Sequence, residues 1–271
     1  MLDCYITYLA EEEKSTATQQ KYQRDIKKFI EFAAGRPLTK EITLTYKQHL
    51  KDTFKPTSVN SMLAALNGAL KHWGLAQFCI KRLQVQRSVF CNQQRELTRS
   101  DYEKLLAASK RSNQEQLTTI IQTICATGIR VSELAYITVE AAKTGRAQVE
   151  CKGKIRTIFI TKTLQSRLLA YTRSHHIQTG PIFITKTGRP CHRSYIWRQM
   201  KALCSQAGVA PEKVFPHNLR HLFATTFYNL EKDIAKLADI LGHSSVETTR
   251  TYIISSGSEH RELVERMKLV L

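Results

Sequence analysis

The chain has 271 residues, 42% apolar and 24% charged, enough for about two domains at ~150 residues each and incompatible with wholesale disorder. Lys and Arg number 41 against 23 Asp and Glu, a formal charge of +18, with 15 basic against 9 acidic residues through Glu96 and 26 against 14 beyond it. An excess in both halves excludes an acidic enzyme with a cationic tail and points to a polyanionic partner, nucleic acid above all.

In chain order, Thr16 to Ala34 carries Tyr22, Ile26, Phe29, Ile30 and Ala33 at helical spacing, and Gly35-Arg36-Pro37 ends it. Thr39 to Leu50 is a shorter amphipathic stretch. A helix opening at Pro56 or Thr57 presents Val59, Met62, Leu63, Leu66 and Leu70 and closes near Gly74. These make a helical domain over residues 1–82, with lysines and arginines outside. Residues 83–96 lack a period and read as a linker. Thr98 and Asp101 open a helix through Leu106, and Leu117, Ile120, Ile121, Ile124 and Cys125 mark a buried helix closed by Thr127-Gly128. Ala147 to Cys151 and Thr157 to Ile160 read as strands around a Lys152-Gly153-Lys154 turn. Helices are predicted near 163–174, 193–207, 217–229 and 233–241, then a short amphipathic helix over about 259–271. The second domain, 97–271, is mainly α with a small antiparallel sheet.

No run approaches the ~20 apolar residues of a membrane span. The start, Met1-Leu2-Asp3-Cys4-Tyr5-Ile6, lacks the basic region and apolar core of a signal peptide. Seven scattered cysteines, never C-x-x-C, argue against a disulfide framework and a zinc knuckle, so a reduced, cytoplasmic protein is expected.

Three junctions carry polar residues at helix ends. In Thr127-Gly128-Ile129-Arg130-Val131-Ser132-Glu133-Leu134, Gly128 suits a helix end and Ser132 suits the next N-cap. Arg130 then lies beside a helix N-terminus that favours phosphate, with Glu133 placed to orient it. In Phe215-Pro216-His217-Asn218-Leu219-Arg220-His221, Pro216 suits a helix start, and His217 and Arg220 share a face. His217 and His221, four apart, have no third ligand to make a metal site. In Gly242-His243-Ser244-Ser245-Val246-Glu247, Ser244 and Glu247 have capping-box spacing, with Tyr252 about two turns on. A cationic hairpin with Lys152, Lys154 and Arg156 near its tip could reach into a DNA groove.

In this order, arginine, lysine, His-x-x-Arg, Gly-His and tyrosine resemble the signature of the tyrosine recombinase (phage integrase) family. The matching segments are TGIRVSEL, HNLRH and LGHSSVETTRTY, spanning Thr127 to Tyr252, with His243 and Tyr252 nine apart. Thr18 to Phe32 also looks like the family's Thr-x-x-x-Tyr-x-x-x-Ile-x-x-Phe helix. The chain is most similar to the short, Xer-like two-domain members. That resemblance implies an N-terminal SAM-like core-binding domain and a mixed α/β catalytic domain, together forming a clamp around DNA. One departure stands out. The family's hairpin reads Gly-Lys-Gly-x-Lys-x-Arg, whereas Cys151-Lys152-Gly153-Lys154-Ile155-Arg156 is a residue shorter. Anchoring on Lys-Gly makes Lys152 the catalytic lysine, with Lys154 as the alternative.

The implied catalytic set is Tyr252, Arg130, Lys152, His217, Arg220 and His243, supported by Glu133, with Lys154 and Arg156 contacting DNA. Two guanidinium groups suit the non-bridging phosphate oxygens, and His243 adds a donor. Tyr252 is the nucleophile, His217 takes its proton, and Lys152 protonates the departing 5′ oxygen. A free phenol titrates near pH ~10, which is why such a nucleophile needs help. The implied product is a 3′-phosphotyrosyl link, which stores the bond energy, so neither cofactor nor metal is expected. The sequence has no Walker motif and no acidic metal cluster.

Expected partners are double-stranded DNA with a specific recombination site and three further copies, as a homotetramer on two duplexes, from a monomer or weak dimer off DNA. Accessory DNA-bending or directionality proteins can join them. The C-terminal helix by its pattern packs on its own domain, whereas the family resemblance implies docking on a neighbouring protomer. The alternatives are a type IB topoisomerase-like enzyme and a catalytically silent DNA-binding regulator. Integration and excision of a mobile element, Xer-like resolution and inversion all use this machinery.

Overall fold

The computed structural model describes residues 1–85, 95–151, 154–185, 187–243, 245–252 and 266. Lys152 and Ser244, most of the expected linker, and the expected C-terminal helix apart from Arg266 lie outside the described residues. The chain divides into two units, Met1–Ser88 and Val89–Leu271.

The first unit holds α1 (Leu2–Glu11), α2 (Thr16–Ala33), α3 (Lys40–Thr53) and α4 (Pro56–His72). Capping chemistry sets most boundaries. The Thr39 hydroxyl accepts from the Ile42 amide at 3.2 Å, and Pro56 occupies the first turn of α4, where a missing N–H costs nothing. Helix α2 ends on Ala34 in the left-handed region, one residue before the expected glycine stop. Helix α1 has no counterpart in the sequence reading, because its buried stripe is only Tyr5 and Leu9. Those two join Ile26 and Ala69 in one cluster, while Phe29, Tyr46, Leu50, Leu63 and Leu66 anchor a larger one.

Two asparagines of α4 fasten the chain as it leaves. Asn67 exchanges hydrogen bonds with the Ile80 carbonyl (2.8 Å) and amide (3.0 Å). Asn60 does the same with Leu83, at 2.9 and 2.7 Å. Side-chain amides thus satisfy backbone groups that have no ladder partner.

The second unit begins with α5 (Arg99–Arg111), opened by the expected Thr98–Asp101 capping box, and α6 (Glu115–Thr127). A 3₁₀ turn (Val131–Tyr136) and α7 (Val139–Thr144) lead to β1 (Arg146–Cys151) and β2 (Lys154–Phe159). The strands pair antiparallel with Arg146 opposite Phe159 and Val149 opposite Arg156. They are longer and begin earlier than predicted. Ala147, Val149 and Ile158 face the core, while Ile155 and Phe159 point outward. Then follow α8 (Lys162–Ser174), α9 (Arg193–Ala202), α10 (Cys204–Ala207), α11 (Pro216–Glu231), α12 (Ile234–Leu241) and α13 (Val246–Arg250). The predicted 193–207 helix is broken at Leu203, between α9 and α10.

Helix α6 is the central rod. Ile120, Ile121 and Ile124 are fully buried, with Leu134, Leu168, Met200 and Leu219 in the same core. Burying side chains of this size stabilises by roughly 1.5–3 kcal/mol each. No helix among the described residues is long and apolar enough to cross a membrane.

Candidate active site

Three helix junctions of the second unit meet. The first is the exit from α6. Gly128 adopts φ +64°, and a Cβ there would lie 2.4 Å from Phe223 Cδ1, so this left-handed, crowded position admits only glycine without rearrangement. Buried Ile129 anchors the turn, and Arg130 follows with extended backbone. Ser132 does not cap the next turn. The Glu133 carboxylate does so instead, accepting from the Arg130 amide at 2.7 Å and from Arg130 Nη1 at 2.9 Å.

Glu133 is buried between two guanidinium groups, since Arg156 Nη2 also donates to its Oε2 at 2.5 Å. Burial alone would raise its carboxyl, but the Arg130 amide and the Arg156 and Arg130 charges hold it below the usual carboxylate range. Among the described residues only one guanidinium nitrogen of Arg130, Nη1, is engaged, and the side chain stays 37% exposed, with donors left for an outside ligand.

The second junction is the start of α11. Pro216 takes the first helical position as expected, and Asn218 ties the turn down by donating to the carbonyls of Arg95 (2.7 Å) and Lys213 (2.8 Å). One turn on, Arg220 is 1% exposed. Its Nη1 donates to the Gly128 carbonyl and its Nη2 to the Leu241 carbonyl at 2.8 Å, so one guanidinium joins the ends of α6 and α12. Its Nε is buried, with no hydrogen-bond partner among the described residues. Burial lowers its affinity for the proton, and the neighbouring Tyr252 phenol opposes that shift.

The third junction joins α12 to α13. Gly242, at φ +65°, ends α12, and His243 follows. The cap of α13 is Ser245, whose hydroxyl accepts from the Glu247 amide at 3.2 Å, one residue beyond the expected Ser244. His243 Nε2 lies 2.9 Å from Arg220 Nη2, and Nδ1 lies 2.8 Å from Thr249 Oγ1. Burial, followed by the charges of Arg220, Arg130 and Arg156, pushes His243 down to about 4.

Tyr252 closes the cluster. It is 5% exposed, with one side against Ala224, Leu237 and Leu241. Its ring stacks on His243 at 5.6 Å and 11°, and lies 5.6 Å from His217 and 5.3 Å from His221. Burial lowers both other histidines, the Arg220 and Arg130 charges adding to the shift at His217, while Glu96 opposes it at His221.

The fold therefore brings Arg130, Glu133, His217, Arg220, His243 and Tyr252 together. Lys152 and the Lys154 side chain lie outside the described residues. Arg156 does not sit at a cationic tip. It turns inward from β2 to Glu133 and to the Ile240 carbonyl. Two participants went unrecognised in the sequence. In the sequence His221 suggests only a metal partner for His217, although its position one turn on puts it on the same face. Thr249, which orients His243, carries no local signal of that role.

A buried phenol among neutral imidazoles and two guanidinium groups is the equipment of an enzyme that attacks a phosphodiester with a tyrosine. The sequence profile of the phage integrase family matches residues 95–259, more than half of the chain, and the chain belongs to that family. It is 27% identical to the tyrosine recombinase XerA of Pyrococcus furiosus over 280 residues, covering 100% of this chain and 94% of the relative. The crystal structure of XerA recombinase matches with a TM-score of 0.56 at 25% identity, covering 100% of this chain and 98% of the other. A lambda integrase tetramer bound to a Holliday junction matches with a TM-score of 0.71, covering 93% of this chain and 75% of that one. At 19% identity this last likeness concerns the fold alone.

Proposed function

We infer that this protein is a site-specific DNA recombinase that cleaves and rejoins strands through Tyr252, without metal or nucleotide cofactor. One observation carries the assignment of residues: a phenol and two guanidinium groups, supplied by three separate junctions, converge on one patch of the second unit.

The chemistry follows from these groups. Arg130, with free donors, and Arg220 bind the non-bridging oxygens of the scissile phosphate and neutralise the charge that grows in the transition state. Tyr252 Oη attacks phosphorus in line, forming a P–O bond as the bond to the 5′ oxygen breaks. Its proton passes to His217, which burial and its cationic neighbours keep below the usual imidazole range and so available as a base near neutrality. Lys152, assigned from sequence, delivers a proton to the 5′ oxygen. The phosphotyrosyl bond retains the energy of the broken link, so attack by another 5′ hydroxyl rejoins the strands.

His243 acts first on Arg220, because Nε2 accepts from Nη2. A bound phosphate, being anionic, favours a second proton on this ring, at Nε2, which then stops accepting from Arg220 and donates to the phosphate instead.

The helical unit, residues 1–82, serves as the core DNA-binding domain. The working assembly is a homotetramer on two duplexes, a reading supported by the likeness to the integrase tetramer on a Holliday junction. Integration or excision of a mobile element and Xer-like resolution both fit.

A plasmid carrying two copies of a site from DNA flanking the gene tests the proposal. Recombination that requires both sites supports it. Relaxation of a supercoiled plasmid lacking any site, with no recombination, would instead assign the activity to a type IB topoisomerase.

A further inference from the structure

We propose that Arg156 is a positioning residue that locks the β-hairpin to both halves of the phosphate site, rather than a DNA contact. It leaves the hairpin on β2, opposite Val149, and points to the core side with Ile158. Its side chain is 13% exposed, and the guanidinium spans two attachments. Nη2 holds Glu133, whose carboxylate in turn holds both the amide and Nη1 of Arg130. Nη1 donates to the Ile240 carbonyl, three residues before His243.

The packing around it is equally specific. Gly242 lies under the arginine stem, where a Cβ would come 2.3 Å from Arg156 Cδ and 2.8 Å from Nε. One planar fork thereby sets the distance among three segments: strand β2, the Arg130 turn and the His243 junction. A lysine offers a single ammonium and cannot keep carboxylate and carbonyl in fixed geometry at once. Displacing a reacting group by about 1 Å can cost 10²-fold in rate. The cost of losing Arg156 should therefore fall on the chemical step and spare DNA affinity.

The test uses the full chain with Arg156→Gln and Arg156→Lys, and it rests on the recombinase reading only for its rate readout. The second readout is the NMR titration of His243, which needs no activity. The charged and titratable groups facing that ring are Arg220, Arg130, Arg156, His217 and Tyr252. In R156Q, single-turnover cleavage of a nicked substrate should fall roughly 10–100-fold, while DNA affinity and its salt dependence stay within about twofold. The His243 midpoint should rise, because a cation beside it is gone. R156K should restore the midpoint and only part of the rate.

Unchanged cleavage together with an unchanged midpoint overturns the proposal. So does a salt slope shallower by about one ion, the mark of a lost phosphate contact. If R156Q does not fold, R156K decides alone: full wild-type cleavage by that variant contradicts the need for a fork. If wild type itself forms no covalent complex, the recombinase reading fails, and the His243 titration still judges Arg156.

Discussion

His243 Nε2 sits 2.9 Å from Arg220 Nη2, and this contact fixes the state of the ring. A guanidinium has only donors, so Nε2 must accept, the proton must be on Nδ1, and Nδ1 donates to Thr249 Oγ1 at 2.8 Å. Nitrogen-15 NMR at neutral pH should show the Nδ1-protonated tautomer for His243, and Thr249→Val should loosen it. An Nε2-protonated ring would contradict the assignment.

The same burial sets a pH dependence. An unfolded histidine titrates near 6.5, whereas His243 in the fold is pushed down to about 4, with His217 and His221 moved the same way. Between those values the unfolded chain binds more protons, so stability must fall as pH drops from 6.5 towards 4. Above 6.5 these rings contribute no slope. Denaturant unfolding across this window should show the loss, and His243→Gln should flatten it. An identical slope in the variant would disprove the attribution.

The two arginines should respond differently. Arg130 is partly exposed, and a lysine there keeps a positive charge beside Glu133, which Arg156 and the residue-130 amide still hold, so Arg130→Lys should leave stability nearly intact. Cleavage should drop by about 10²–10³, the ~3–4 kcal/mol typical of a donor aimed at developing charge. Arg220→Lys should lose a similar factor and also destabilise the fold, because at least one of two buried carbonyls loses its donor at roughly 1–3 kcal/mol. Equal stability of the two variants, by denaturant melts, would show that the Arg220 bridge contributes nothing to folding.

Gly128 connects folding to the site. Gly128→Ala puts a Cβ against Phe223 at a left-handed position, costing about 1–2 kcal/mol for the backbone alone, and it shifts the carbonyl that Arg220 holds. Stability and cleavage should therefore fall together. A variant as stable and as active as wild type would mean that this turn tolerates a side chain.

How far the sequence discloses this arrangement depends on the range of the interaction. Turn chemistry is local, so Gly128, Pro216 and Gly242 mark their junctions in the sequence, and all three stand where helices end or begin. Caps that hinge on one residue are less legible. Ser132 gives way to the Glu133 carboxylate because the turn after Arg130 is a tight 3₁₀ turn, and the cap of α13 is Ser245. Arg156 was partly readable, since it shares strand parity with buried Ile158, yet its partner Ile240 lies 84 residues away. Contacts of that span, like Arg220 to Gly128 across 92 residues, leave no local trace.

Tyr252 offers the most direct test of all. The full chain, incubated with a nicked duplex that traps the cleaved strand, should form an SDS-resistant adduct. Peptide mapping should place the nucleotide on Tyr252, and Tyr252→Phe should form none while still binding the duplex. An adduct on another residue, or cleavage that persists in the phenylalanine variant, would contradict the account.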